Sequence, residues 1–178
     1  MSTVSETTTG TWTLDPTHSK VDFTVVYMGV APFRGSFREF EATLDDEGLR
    51  GSAPAAGIDV DNEQLAEHLA SPEFFDTQNH PELRVETGPA RLDGDRVSLE
   101  GTLEVKGYRA PLTLTGTITE PVADPWGGRK LGLALSGSVD RQALGLTWNA
   151  PLPEGGTMLA DEVELSASLV LVQSPEAA

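Results

Sequence analysis

Cysteine is absent from this 178-residue chain, which removes disulfides, thiol catalysis and thiolate metal sites from consideration. Basic residues are scarce: 12 Lys and Arg stand against 28 Asp and Glu, for a formal charge of -16. The few bases are scattered along the chain, and such a surface repels a phosphate backbone and an anionic bilayer alike. No nucleic-acid partner is expected. No stretch approaches the ~20 consecutive apolar residues of a membrane-spanning helix, so an integral membrane protein is not expected either. The first residues, MSTVSETTTG, lack the basic start and apolar run of a signal peptide, and a cytoplasmic location is the expectation. Aromatic residues are also few, with three Trp, two Tyr and six Phe.

Catalytic patterns are equally thin. The three histidines, His18, His68 and His80, include no pair at metal-ligand spacing on a helix. No Gly-x-Ser-x-Gly elbow supports a nucleophilic serine. Carboxylate runs such as Asp45-Asp46-Glu47 and Asp161-Glu162 fall at turns and strand ends and read as surface charge. Gly127-Gly128 and Gly155-Gly156 have no following helix and read as turn glycines rather than phosphate loops. No enzymatic activity, metal or cofactor is expected.

What the chain does contain is alternation. Val21, Phe23, Val25 and Tyr27 share one face of a strand, and Val97, Leu99, Leu103 and Val105 share one face of another. Leu112, Leu114 and Ile118 face inward against an outward ladder of Thr113, Thr115, Thr117 and Thr119. Leu131, Leu133, Leu135 and Val139 follow, and the last strand alternates Val163, Leu165, Ala167, Leu169 and Leu171 with Glu and Ser. The uneven spacing of Phe37 and Phe40 suggests a bulge near Arg38-Glu39. Residues 1–10 and 174–178 read as polar tails flanking a single domain over 11–173.

One stretch breaks the sheet pattern. In residues 61–82, Asp61 is placed to cap a helix with Gln64 three residues on, and Leu65 and Leu69 recur at helical spacing. Phe74 and Phe75 sit side by side in this polar insertion, so they need an apolar surface opposite. About eight long antiparallel strands with one apolar face form a sandwich or a closed barrel. Inward residues that are mostly Val, Leu, Ala and Gly favour a barrel with an elongated apolar cavity, plugged at one end by the helical piece near residues 62–76.

Separated motifs occur in a distinctive order. Trp12-Thr13-Leu14-Asp15-Pro16-Thr17-His18-Ser19 comes first, then Gly29-Val30 with Arg34-Gly35-Ser36-Phe37. Asn62-Glu63 follows with His68-Leu69-Ala70-Ser71-Pro72-Glu73-Phe74-Phe75-Asp76, then Asp124-Pro125-Trp126-Gly127 and Gly145-Leu146-Thr147-Trp148-Asn149. From about residue 11 to 172 the chain resembles the YceI-like family of polyisoprenoid-binding proteins. The resemblance implies an extended lipocalin-like antiparallel β-barrel, an apolar pore for an isoprenoid lipid such as a polyprenyl phosphate or quinone, and a homodimer. Where family members often carry a Lys-His pair, this sequence has Val26-Tyr27.

These readings place the lipid against Val21, Phe23, Val25, Tyr27, Phe37, Phe74 and Phe75, and against Leu103, Leu133, Leu135, Trp126, Trp148 and Leu169. The polar mouth is expected at His18, Arg34, Asn79, His80 and Asn149. Two alternatives stay open: a filled barrel that acts through its surface as a stress or interaction protein, and a histidine-dependent metalloenzyme. The aliphatic run Leu169-Val170-Leu171-Val172 is expected to pack against a partner chain.

Overall fold

Apolar residues repeating every second position give thirteen strands, of 2 to 15 residues. A computed structural model describes residues 10–60 and 62–173. The strands are β1 (Trp12–Leu14), β2 (Lys20–Tyr27), β3 (Ala31–Phe37), β4 (Glu41–Asp45), β5 (Gly48–Pro54) and β6 (Ile58–Asp59). After helix α1 (Glu63–Ala70) come β7 (Glu82–Thr87), β8 (Arg91–Asp93), β9 (Arg96–Val105), β10 (Tyr108–Ile118), β11 (Val122–Ala123), β12 (Arg129–Asp140) and β13 (Leu159–Gln173). The expected tails fall outside the described residues, apart from Gly10.

Antiparallel ladders run β12-β10-β9-β7-β5-β4-β1-β13, and β13 pairs back onto β12 from Asp140↔Glu162 to Lys130↔Val172. The ring is therefore a closed barrel of 8 strands. Closure removes every free edge from this ring, the usual protection of an antiparallel sheet against edge pairing.

The long strand β13 changes partner along its length. Residues 171–173 pair with β1, whereas residues 159–168 pair with β2. From β2 the sheet continues outward through β3 to β6. The barrel is thus tight at the β1 end and flared at the other. The expected bulge near Arg38-Glu39 is a break instead: β3 ends at Phe37 opposite Ile58, and β4 starts at Glu41 opposite Ser52, which hands the chain from the flare to the ring. A 3-10 turn over Ala55–Gly57 divides the adjoining strand in the same way.

The tight end is packed solid. Trp12, Leu99 and Leu171 are fully buried, Leu133 is 1% exposed, and Leu44, Leu49, Val97, Ile118 and Leu131 complete this floor. The aliphatic run in β13 accordingly belongs to this chain's own interior, because Leu169 and Leu171 lie in the same core cluster. That corrects the expectation of a partner chain for Leu169 and Leu171, while Val170 and Val172 are half-buried on the other face.

At the corner between β1 and β2, Asp15 ties the floor together. Its carboxylate accepts from Thr17 N at 3.0 Å, from His18 Nδ1 at 2.9 Å and from Lys130 Nζ at 3.0 Å, with the side chain 12% exposed. The hydrogen bonds from His18 and Lys130 lower the Asp15 pKa to about 2. Because this lies below the ~3.9 of an unfolded chain, the carboxylate stabilises the fold above about pH 4, and the contribution is lost as pH falls toward 2. Asp15→Ala should cost about 1–2 kcal/mol in urea unfolding at pH 7, from the lost turn cap and ion pair. Near pH 2 the variant and the parent should be equally stable; a gap independent of pH would refute the carboxylate's role.

At the flared end, Asn62 caps α1 by accepting from Leu65 N at 3.1 Å. Asp61, the cap expected from the sequence, lies outside the described residues. Leu65 and Leu69 turn inward, and the segment after α1 brings Phe74 against Ile58, Val60 and Leu69. Thr77 N and Phe75 N donate to the carbonyls of Ala70 and Leu69, which folds the insertion back over the barrel end.

Candidate functional site

Above the floor the lumen is not filled by side chains. An apolar cavity of about 630 Å³ extends from a rim of exposed Tyr27, Ala31 and Pro32 and half-buried Met158 down to Leu112, Leu114 and Leu169. It falls in the size range of small-molecule pockets, ~300–1,000 Å³. Blind at the floor and open at the flare, it has the form of a sleeve.

Most of the expected lining residues are on this wall. Val21, Phe23, Val25 and Tyr27 come from β2, Phe37 from β3, Phe74 and Phe75 from the insertion, Leu103 from β9, Leu169 from β13, and Trp148 from the loop before β13. A Cβ on Gly35 would lie 2.4 Å from the Phe23 ring, so only glycine lets Phe23 lie across β3. The ring then reaches Phe37 at 5.9 Å and Phe33 at 6.5 Å between centroids.

Three expected lining residues are elsewhere. Leu133 and Leu135 point inward as read, but they sit in the solid floor cluster. Trp126 is 84% exposed. The Asp124 carboxylate accepts from Trp126 N at 2.8 Å and Gly128 N at 2.9 Å, and this turn throws the indole outward.

None of the five residues expected at a polar mouth borders the cavity. His18 is at the Asp15 corner, beside the floor. Arg34 is exposed on β3, opposite Thr24. Asn79 donates to the Asp76 carboxylate at 3.0 Å, and His80 packs near Gly107. Asn149 pins its loop to β13, donating to Leu159 O at 2.8 Å and accepting from Leu159 N at 2.9 Å. The three histidines are thus dispersed, and no group of three or more His, Asp or Glu among the described residues is placed to hold a metal ion.

Two other polar side chains reach the wall. His68 stands edge-on to Phe74 and Trp148, with centroids at 4.8 and 5.0 Å, and its Nε2 is 2.7 Å from Glu73 Oε2. Arg141 has a side chain only 3% exposed. It donates from Nε to Ala160 O at 2.8 Å and from Nη1 to Leu146 O and to Trp148 O at 3.0 Å, with Nη2 3.4 Å from Leu159 O. Gly145, at φ +71, ends the turn that carries Arg141 and lets the chain double back to these carbonyls. The guanidinium is therefore spent on backbone carbonyls and on the Asp161 carboxylate, 3.6 Å from Nη2. Glu41, Ser52 and Arg84 border the cavity on its flank; Glu41 is exposed, and Arg84 pairs with Glu82 at 3.0 Å.

Both wall residues were encoded in the sequence periodicity. His68 lies three residues after Leu65 and one before Leu69, on the helix face they define. Arg141 continues the odd-numbered inward series Leu131, Leu133, Leu135, Val139.

The sleeve is closed below by Trp12 and bordered above by a Phe-rich insertion, and the chain that builds it is similar to known proteins. The family model of the YceI-like domain matches residues 12–171. The chain belongs to the YceI-like family. A UPF0312 protein of Staphylococcus epidermidis is 28% identical over 162 residues, covering 86% of this chain and 92% of the relative. Protein YceI of Escherichia coli O157:H7 is 25% identical over 129 residues, 68% of each chain. Among solved structures, Burkholderia cenocepacia BcnA superposes with a TM-score of 0.69 at 18% identity, covering 88% of this chain and 98% of that one. A polyisoprenoid binding domain from Saccharophagus degradans implicated in plant cell wall breakdown gives 0.66 at 12% identity, covering 92% and 98%. These YceI-like likenesses are to the fold; the cavity's contents are a matter for its own residues.

Proposed function

We propose that this YceI-like protein encloses the tail of an isoprenoid lipid whose head group is uncharged, as carrier, store or sensor rather than as an enzyme. The observation that supports this is an apolar sleeve whose buried polar groups already have protein partners. At roughly 30 Å³ per heavy atom, the share a water takes in the liquid, the lumen accommodates about 20 atoms, or about four isoprene units. Longer tails leave through the rim.

Each unit gains ~3–4 kcal/mol gross from its buried carbons. About four therefore supply ~14 kcal/mol before ordering costs, inside the ~18–21 kcal/mol ceiling for non-covalent binding. Tail length supplies affinity, and the width of the sleeve sets a loose specificity.

The head group is where the candidates divide. A phosphate drawn into the lumen needs a free cation, and Arg141 is committed to carbonyls while Glu73 stands behind His68. A net charge of -16 adds to the penalty. A quinone carbonyl needs only one donor or a water. The neutral quinone is therefore favoured over the polyprenyl phosphate.

Trp148 lines the cavity while Trp12 is in the floor and Trp126 is at the surface, so fluorescence reports on the lumen. In a Trp126→Phe background, an isoprenoid quinone of about four units should quench Trp148 saturably. The polyprenyl phosphate of equal length should bind about 10-fold more weakly. Equal or tighter phosphate binding would reverse the head-group assignment, and no quenching by either, with no lipid in an organic extract of the purified protein, would refute lipid binding.

A further inference from the structure

The rim of the sleeve carries four of the seven large hydrophobic side chains that are exposed among the described residues. Residues 25–33, Val-Val-Tyr-Met-Gly-Val-Ala-Pro-Phe, contain no polar side chain other than the Tyr27 hydroxyl in a chain of net charge -16. They form the end of the β2–β3 hairpin. Val26 is 44% exposed, Tyr27 39%, Met28 40% and Val30 79%. Met28 N donates to Met158 O, joining this tip to residues 149–158, where Glu154 is the single charged residue and Pro151 and Pro153 are exposed. An uncharged hairpin tip and a segment with one carboxylate, Glu154, thus flank the opening of the cavity, and Tyr27, Ala31, Pro32 and Met158 belong to both rim and lining.

The turn itself is built against local preference. Met28 has φ +53 and Gly29 φ +71, and Val30 N donates to Tyr27 O at 3.0 Å. The pair Tyr27↔Ala31 closes a three-residue loop whose first two residues are left-handed, where Asn-Gly is the favoured pair and a bulky side chain at the first position is strained. An exposed methionine in a strained backbone position, where asparagine would fold more easily, is a local rule broken without a folding gain.

We propose that this tip docks on a lipid bilayer of low net charge, inserting Met28 and Val30 among the acyl chains with Tyr27 at the headgroup level, so that the cavity opens onto the membrane. Tyrosine favours that interface, and an uncharged tip is what an acidic protein needs to approach a bilayer. A second copy of the chain fits less well. The four large exposed side chains offer on the order of 300 Å² on a convex hairpin, against about 800 Å² per partner in a stable interface. No helix among the described residues is long and apolar enough to cross a membrane, so contact is by the tip.

Flotation of the intact protein with phosphatidylcholine vesicles free of isoprenoids tests docking separately from tail binding. The parent should float with them. Val30→Asp should reduce the bound fraction about tenfold, through both the lost apolar area and the added charge. Met28→Asn should weaken binding too while raising thermal stability, because asparagine suits the turn. Mixing in phosphatidylglycerol at low salt should reduce binding of the parent, and added salt should restore it.

A parent protein that stays with the unbound fraction overturns the proposal. So does a Met28→Asn protein that floats like the parent, or binding that requires anionic lipid. A parent that is dimeric by light scattering, made monomeric by Val30→Asp and indifferent to vesicles, assigns the tip to a second copy instead. Quinone titration of Val30→Asp from solution should match the parent, which separates failure of docking from failure of tail binding.

Discussion

Leu133→Asp is expected to leave no folded barrel. Leu133 is 1% exposed, opposite Ile118 on β10 and Leu169 on β13, within the cluster that contains Trp12, Leu99 and Leu171. Removing the leucine costs ~2–5 kcal/mol, and a carboxylate in a dry floor adds several more unless it takes up a proton. The sum is comparable with the ~5–15 kcal/mol that holds a domain together. Loss of a cooperative thermal transition, monitored by circular dichroism, checks this. A folded Leu133→Asp protein with a transition within a few degrees of the parent would mean that the floor is open rather than solid.

Ala167→Phe is expected to do the opposite: to spare the fold and abolish binding. Ala167 is on the same strand as Leu169 and Leu171, opposite Leu135 and Val21, but its methyl group borders empty lumen. The phenyl ring adds six atoms, or roughly 180 Å³ at ~30 Å³ each, directed into the lumen. It displaces at least one isoprene unit, and the ~3–4 kcal/mol which that unit contributes corresponds to about 100-fold or more in affinity. Stability should stay level or rise, since apolar surface is covered. Unchanged quinone affinity in a folded Ala167→Phe protein would place the ligand outside the sleeve.

The pair of substitutions separates two kinds of inward residue that one strand pattern cannot tell apart. Leu133 and Leu103 both occupy inward positions, yet one is floor and the other is cavity wall. The same limit explains the polar residues. His18 and Asn149 adjoin turns, but their side chains are engaged at the corner and the loop anchor, and Arg34 is exposed on the outer face of β3. His68 and Arg141 were on the correct faces all along, disguised by their chemistry: an arginine continuing a leucine series reads as the end of a strand, until the backbone carbonyls that satisfy it are seen.

The filled-barrel alternative loses its footing through the same geometry. Its premise was a lumen occupied by side chains, and only the β1 end meets that description. Sparse aromatics and an inward run of Val, Leu and Ala agree with this, since a ring of 8 strands is either filled by side chains or holds one small ligand, and small side chains leave room for the ligand.

By itself, the sequence determined the all-β class, the inward and outward faces of the five longest strands, the place of the helical insertion and the family motifs. Each of these is local: side chains alternate across a strand and recur every third or fourth residue on a helix, so direction is written in neighbouring positions. Tertiary structure alone decided depth. Which inward residues meet across the barrel and which leave a void depends on register between strands far apart in the chain, and on β13 exchanging β2 for β1 along its length. That exchange pinches one end and flares the other, and no local pattern carries it.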